Sequence, residues 1–170
     1  KCHAELKLAV ASLGGDAASP RLFDMAELII QSMTGPWRSF HTPEHIFRAQ
    51  QRLLVPLFQR PYVWNQELQW EPMWRDLKRV LSRYLAQPEA EHQPHFLGAV
   101  VVQQVQSPIG EIQQRTIIDG QQRLTTLQLM FDAIHAQLES VGAKRPAGRI
   151  KKLIQNDEDS CNKPEDKFKV

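Results

Sequence analysis

The stretch T-I-I-D-G-Q-Q-R-L-T-T-L-Q-L, residues 116–129, contains the junction around which the chain is organised. A β-branched run ends at Asp119-Gly120, and a helical pattern begins at once. The apolar residues that share one face of this helix are Leu124, Leu127, Phe131, Ile134 and Leu138. The stretch therefore predicts a strand that turns through a glycine directly into a helix of residues 122–139.

Polar groups crowd this turn. The first backbone N–H groups of a helix lack partners inside the helix, and Arg123 stands one turn in. Asp119 as a helix cap and Gly120 as a turn residue explain the junction without a ligand. They do not explain Gln121 and Gln122, which helix propensity does not demand. We therefore expect the turn to hold the phosphates of a nucleotide or a nucleic acid.

A second polar motif lies upstream, in L-L-V-P-L-F-Q-R-P-Y-V-W at residues 53–64. Residues 53–55 predict a short strand that Pro56 confines to a sheet edge or end. The aromatic residues of the motif fit packing on a core. The polar pair Gln59-Arg60 does not, because a buried arginine needs either an internal carboxylate or a bound phosphate.

The intervening chain completes an α+β pattern. Residues 65–86 predict a helix capped by Asn65, with a break before Pro72. Residues 96–105 are nearly all apolar and predict a central strand, and residues 111–119 predict its hairpin partner. The order β, α, β-hairpin, α across residues 51–140 predicts an α+β domain with a small mixed sheet and packed helices.

The two ends of the chain differ from this domain. Residues 1–50 predict a helical N-terminal extension of unclear origin. Residues 142–148 predict a loop, and the charged segment 141–170 as a whole predicts a surface hairpin or a disordered end. Because the sequence starts without methionine and ends in charged residues, we expect a truncated chain.

Composition excludes several classes of protein. The net charge of +2, from 21 basic and 19 acidic residues, gives no global field for nucleic acid, so any DNA contact requires a local patch. Two distant cysteines suggest neither a zinc site nor a disulfide framework. No apolar run is long enough to span a membrane, and we expect a cytoplasmic protein.

A pair of histidines gives a second, weaker signal. His41 and His45 lie four residues apart, and the segment resembles the opening of HD-type metal phosphohydrolases. Pro43 places His41 outside a helix that begins after Thr42. The chain has no His-Asp dipeptide, which that family requires, so two solvent-facing or partly buried histidines are the better interpretation.

Three blocks together resemble the N-terminal domain of GmrSD-type (type IV) restriction proteins. They are V-P-L-F-Q-R-P-Y-V-W (residues 55–64), F-L-G-A-V-V-V (96–102) and I-I-D-G-Q-Q-R-L-T-T-L (117–127), in the family order. The resemblance implies a ParB/sulfiredoxin-like core. It also implies a bacterial phage-defence protein in which this domain binds and hydrolyses nucleoside triphosphates, coupled to cleavage of modified DNA. No His-Asn-His nuclease arrangement is present, so we expect the nucleotide-handling part alone.

The resemblance assigns roles to matching positions. Asp119, Gln122 and Arg123 are the expected catalytic residues, with Asp119 holding Mg²⁺ or positioning water. Arg123 is expected to neutralise charge that develops on the phosphates. The other residues expected to bind the nucleotide are Gln59, Arg60, Gly120, Gln121, Thr125 and Thr126.

An alternative from another class stays open. The domain is then a module that binds DNA or a partner without catalysis and uses the nucleotide as a switch, because the motif contains no clear second carboxylate. The sequence leaves the preferred nucleotide, the DNA modification and the oligomeric state open.

Overall fold

A three-stranded mixed sheet lies at the centre of the fold. The computed structural model describes residues 42–92 and 95–170. The strands are β1 (Gln51–Leu54), β2 (Val101–Gln104) and β3 (Gln113–Asp119), in the order β1-β3-β2. β1 runs parallel to β3, and β2 runs antiparallel to it. With the helices packed around this sheet, the predicted α+β class is confirmed.

In the part of the chain that the structure describes, four α-helices accompany the sheet: α1 (Pro43–Arg48), α2 (Glu71–Ala86), α3 (Gln121–Ser140) and α4 (Lys144–Ile154). A π-helical turn (Gln66–Trp70) precedes α2, and two 3₁₀ turns follow α4, at Glu158–Ser160 and Pro164–Lys167. The core is built mostly from α3 and α4 against the sheet. Its fully buried side chains include Phe47, Ile117, Leu124, Met130, Phe131, Ile134, Leu138 and Ile150.

The start of the 65–86 helix follows its sequence signals. The side-chain oxygen of Asn65 accepts a hydrogen bond of 3.0 Å from the backbone N–H of Leu68, as a helix cap does. Pro72 occupies the first turn of α2. The expected break at Trp70 is a change from π to α geometry, because Trp70 itself keeps helical backbone angles.

The prediction of a central strand at residues 96–105 is wrong. β2 is a four-residue strand at the sheet edge with all its residues exposed, and β3 is central. Gly98 adopts a positive φ of 101°, which bends the chain before it can pair. The register shifts at Val101-Val102 because Ile118 is an extra residue on β3. The hairpin pairing of β2 with β3 is confirmed.

The C-terminal segment also differs from its prediction. Residues 142–148 do not form a continuous loop, since α4 begins at Lys144. Residues 141–170 do not form a surface hairpin or a disordered end. Four apolar positions at helical spacing, Ala147, Ile150, Leu153 and Ile154, are buried in the core. Charges on the opposite face of α4 hide this pattern in the overall composition.

The last residues cover the free edge of β1. The backbone N–H of Leu53 donates a 2.7 Å hydrogen bond to the carbonyl of Lys169. The side-chain amide of Asn156 donates to the carbonyls of Gln51 and Asp166. The buried Lys169 ammonium donates to the carbonyl of Ala49 at 2.7 Å. These contacts satisfy backbone groups that an open sheet edge leaves unpaired.

Some predictions fall outside these observations. Most of the predicted helical extension at residues 1–50 lies outside the described residues, which begin at Thr42. His41 also lies outside them. The domain boundaries and the ParB/sulfiredoxin-like core stay predictions. Among residues 42–92 and 95–170, none of the helices has the length and apolar character needed to cross a bilayer.

Gly148 gives a first test of this packing. A Cβ added to Gly148, in the middle of α4, meets no atom within 4 Å. We expect Gly148→Ala to raise the free energy of unfolding by about 0.5–1 kcal/mol, because alanine favours a helix interior. Urea denaturation measures this change in the free energy of unfolding. Gly120→Ala is the contrasting variant and should destabilise, since φ at Gly120 is 94° and its Cβ comes within 2.9 Å of Val100.

Lys169 gives a pH-dependent test. Burial lowers the pKa of Lys169 to about 8, although Asp157 and Cys161 oppose the shift. Between about pH 8 and about pH 10.4 the unfolded chain therefore binds more protons than the folded one. We expect the free energy of unfolding of the wild type to rise across this window relative to Lys169→Met, by about 1–3 kcal/mol.

Urea denaturation at several pH values in that window measures the difference. The control is the exposed neighbour Lys167, because Lys167→Met should leave the pH dependence of the wild type unchanged. Parallel pH profiles for the wild type and Lys169→Met would contradict the assignment.

Candidate functional site

Gly120 forms the turn between β3 and α3. Its backbone is left-handed, with φ 94° and ψ 8°, and a Cβ there would lie 2.9 Å from a methyl group of Val100. Only glycine fits this close approach without strain. The first hydrogen bond of α3 runs from Leu124 N–H to the carbonyl of Gly120 at 3.0 Å. No side chain caps α3, so Asp119 does not act as its cap.

The three N–H groups of residues 121–123 precede that first helical bond. An uncapped helix start of this kind combines unpaired donors with the positive end of the helix dipole. The structure thus keeps the feature from which the sequence predicts an anion site.

Arg123 lies across the chain that precedes β2. Its Nη2 donates to the carbonyl of Ala99 and lies 3.4 Å from a carboxylate oxygen of Asp119. The side chains of Arg123 and Asp119 are 30% and 67% exposed, so water screens this ion pair and it contributes little to stability. The guanidinium packs on Gly98, where a Cβ would come within 2.9 Å of Nη1. The Nε atom of Arg123 is buried and has no hydrogen-bond partner within the described part of the chain.

A cavity of about 240 Å³ opens beside Arg123. Each of the three motif blocks contributes to its wall. Trp64 comes from the first block, Phe96 and Leu97 from the second, and Arg123 and Leu127 from the third. The remaining lining residues are Met73 and Asp76 of α2, together with His95. Blocks separated by many residues in sequence therefore meet at one concave surface that combines aromatic and charged groups.

The first block is fastened to the turn by Gln59. The side-chain amide of Gln59 donates to the carbonyls of Ile117 and Ile118, both at 2.9 Å, while its Oε1 is buried without a partner among the described residues. Arg60, the next residue, is exposed. No carboxylate in residues 42–92 or 95–170 pairs with Arg60, so the first of the two predicted alternatives, an internal carboxylate, is not observed there.

Gln122 joins the same two blocks from the other side. It is 7% exposed, its Oε1 accepts from the backbone N–H of Val63 at 2.9 Å, and its Nε2 donates to the carbonyl of Pro61 at 3.1 Å. Both polar atoms of this carboxamide are therefore engaged within the protein. These two bonds position the 61–63 segment against the start of α3, and the expected catalytic role of Gln122 stays a prediction.

Thr126 belongs to a buried chain of hydrogen bonds. The indole N–H of Trp70 donates to the hydroxyl of Tyr62 at 2.7 Å, and Tyr62 lies 2.8 Å from Thr126 Oγ1. Thr126 in turn donates to the carbonyl of Gln122 at 2.7 Å. Since Thr126 gives its proton to Gln122, Tyr62 donates to Thr126. The chain ties the π-helical turn before α2 to the first turn of α3.

The remaining predicted residues lie at and just after the start of α3. Gln121 and Thr125 are half-buried, as is Arg123, whereas Gln122 and Thr126 point inward. Asp119 is the carboxylate expected to hold a metal ion. No group of three potential metal-ligating side chains occurs among residues 42–92 and 95–170, so Asp119 there is not part of a protein-built metal cluster.

Sequence reasoning misses several residues of this surface. The apolar pattern places Gly98 in a strand, although a glycine inside an apolar run signals close backbone approach. It also assigns Tyr62 and Trp64 to core packing, yet Tyr62 holds Thr126 and Trp64 lines the cavity. Asp76 and His95 carry no sequence signal that distinguishes them from surface residues.

Comparison with protein families gives one match. Residues 43–170 match the family described as GmrSD restriction endonuclease, N-terminal domain. The matched region takes in α1, the sheet, and the C-terminal segment that covers β1. No curated protein and no solved structure matches the chain.

The double hydrogen bond of Gln122 is open to a direct test. We expect Gln122→Leu to lower the free energy of unfolding by about 1–2 kcal/mol, since two internal hydrogen bonds are removed and water can partly replace them at the exposed Pro61 and Val63. Urea denaturation of the nucleotide-free protein measures the effect. Gln121→Leu is the matched control, as Gln121 is half-buried on the outer side of the same turn. Equal stability of the two variants would refute the role of these hydrogen bonds.

Proposed function

The chain belongs to the family of the N-terminal domain of GmrSD restriction endonuclease, and from this premise we propose that it binds a nucleoside triphosphate at the Gly120 turn and hydrolyses it. The hydrolysis serves a restriction protein that acts on modified DNA. The observation that carries the proposal is the convergence of all three motif blocks on one cavity with Arg123 in its wall.

The phosphates fit the start of α3. Uncapped N–H donors, a glycine that permits close backbone approach and a guanidinium within the first turn are the groups that recur at phosphate sites. Arg123 is partly exposed, and its hydrogen-bond partners within residues 42–92 and 95–170 are the Ala99 carbonyl and a screened carboxylate. The Arg123 guanidinium can therefore bind an anion that attracts it more strongly than the Asp119 carboxylate does.

The base and sugar fit the cavity. Its volume of about 240 Å³ is below the range of about 300–1,000 Å³ typical of pockets that enclose a drug-sized ligand. It suits part of a nucleotide, with the phosphates lying outside along the turn. Trp64 and Phe96 supply aromatic surface for a base, and Asp76 supplies a carboxylate that accepts hydrogen bonds.

Asp119 fits a magnesium ion that arrives with the nucleotide. Mg²⁺ is commonly held by one or two carboxylates together with substrate phosphates, and Asp119 is one exposed carboxylate next to the proposed phosphate position. The ion would supply neutralisation of charge on the phosphates. Asp119 then binds the ion, or orients water at the reacting phosphate.

The other side chains have supporting roles in this proposal. Arg60, exposed and without a carboxylate partner in the described chain, reaches toward the phosphates from the segment that Gln59 fastens to β3. Gln121 and Thr125 lie on the outer side of α3 and contact the ligand there. Gln122 and Thr126 act by holding the turn and the 61–63 segment in place.

The alternative function is binding without hydrolysis, with the nucleotide as a switch for DNA or partner recognition. Two observations favour it. Asp119 lacks a neighbouring cluster of metal ligands in the described chain, and the carboxamide of Gln122 is already engaged by Pro61 and Val63. Because Gln122 is engaged in this way, the attacking water would have to be oriented by Gln121 or Asp119.

Substitution of Arg123 tests the proposal. We expect Arg123→Ala to lower the rate of triphosphate hydrolysis by about 10²–10³-fold, since a donor aimed at developing phosphate charge is removed. Arg123→Lys should retain part of the activity, because the charge stays but the planar donor geometry is lost. Phosphate release and a nucleotide-induced rise in melting temperature are measured on the same protein.

The control is Arg75→Ala, which removes an exposed arginine of α2 that pairs with Glu71 and should change neither readout. A melting shift without phosphate release in the wild type supports the switch alternative. Unchanged melting shift and unchanged hydrolysis in Arg123→Ala would refute the proposed site.

A further inference from the structure

The exposed face of α4 is uniformly basic. The helix buries Ala147, Ile150, Leu153 and Ile154 on one side. Its exposed positions are Gly148 and five cations, which are Lys144, Arg145, Arg149, Lys151 and Lys152. Lys144–Ile154 contains no acidic residue. The acids that follow belong to the next segment, where Asp157 is hydrogen-bonded with Gln50.

Helix α2 shows how an ordinary solvated face differs. Two of its four cations pair with acids of the same helix. Arg75 pairs with Glu71 at 3.3 Å, and Arg79 pairs with Asp76. Such internal pairs neutralise a helix surface and favour its exposure to water. α4 contains no acid, so its cations are not paired along the helix itself.

Two features of α4 cost the helix stability. Lys144 and Arg145 lie in the first turn, where the helix dipole disfavours cations, and no side chain caps that end. Gly148 lies in the helix interior, where alanine is preferred, and nothing within 4 Å requires a glycine there. Neither feature has a structural reason within the described chain. Both favour an external polyanion, which compensates the first-turn charge and approaches the backbone closely at Gly148.

We propose that this basic face of α4, formed by Lys144, Arg145, Lys151 and Lys152 around Gly148, contacts the phosphate backbone of duplex DNA. At 1.5 Å rise per residue, Lys144 and Lys152 lie about 12 Å apart along the helix axis, which matches the width of the major groove. The two ends of the face therefore reach phosphates on either side of one groove. Contacts of this kind position DNA and read no sequence.

The inference rests on the proposed action on DNA and is independent of nucleotide hydrolysis. Because phosphate contacts carry no base information, a plain fluorescent duplex of about 20 base pairs is a sufficient probe. Binding to the whole chain is measured by anisotropy without nucleotide, at a series of salt concentrations. The test variant is Arg145→Gln/Lys151→Gln. Its matched control, Lys78→Gln/Arg83→Gln, removes one lysine and one arginine from the exposed side of α2.

We expect the α4 variant to reduce the slope of log affinity against log salt by about 1.8, which is about 0.9 for each phosphate that the protein no longer neutralises. Between about 50 and about 200 mM salt this changes the affinity ratio of wild type to variant by about tenfold. The α2 variant should keep the wild-type slope. The nucleotide-induced melting shift should be the same in all three proteins, which separates this surface from the Gly120 site.

Equal reduction of the slope in both variants would mean attraction by net charge alone and would overturn the proposal, as would no reduction in either. Loss of binding to vesicles containing phosphatidylserine, with DNA binding retained, would also overturn it in favour of a membrane surface. If nucleotide does not raise the melting temperature of the wild type while the DNA result is as expected, the proposed triphosphate site is rejected and the proposed DNA contact of α4 is retained.

Discussion

The carboxamide of Gln122 holds the two polar motifs together. Its oxygen accepts from Val63 and its nitrogen donates to Pro61, so one side chain at the start of α3 fixes a segment about sixty residues earlier. Gln59 makes the reciprocal connection from that segment to the end of β3. These bonds orient the edge of the cavity that Trp64 lines. The hydroxyl of Tyr62 adds a third directional contact, to Thr126. These polar contacts matter for the attachment of the first motif, since most of its apolar side chains face solvent.

Helical geometry divides the D-G-Q-Q-R-L-T-T motif into two sets. Side chains four positions apart share a face, so Gln122 and Thr126 point inward together. Gln121 and Thr125 are half-buried on one flank of that inward face, and Arg123 is half-buried on the opposite flank. A motif that reads as a single row of polar residues is therefore divided into a buried pair and partly exposed side chains on either side of it. The buried pair is fully hydrogen-bonded, as buried polar groups must be, and the flanking side chains keep contact with solvent.

The parts that could be predicted from sequence are local. The strand–glycine–helix junction, the cap at Asn65 and the β2–β3 hairpin each follow from residues adjacent in the chain. The central position of β3 could not be predicted, because it depends on which strand β1 joins. Sequence reasoning misses α4 because Pro146 and Gly148 favour a loop and its apolar positions are outnumbered by charges. It misses the role of Gln122 because the partners of that side chain are distant in sequence. They are also backbone atoms, whose positions cannot be inferred from the residue types at 61 and 63.

Helix α3 connects the two surfaces that the structure distinguishes. Its first turn carries the Gly120 site, and its twenty residues extend about 30 Å to the turn that leads into α4. Most of one face is buried to 1% exposure or less, so the helix is confined by close packing along its length. The turn into α4 is short and hydrogen-bonded, with Ala143 donating to Leu138 and Gly142 to Glu139. A ligand that displaces Arg123 or Gln122 thus acts on an element that also positions the basic face of α4. Under the two proposals, communication between nucleotide and DNA requires a ligand that favours one position of α3 over another, and the turn of residues 141–143 is too short to act as a flexible linker.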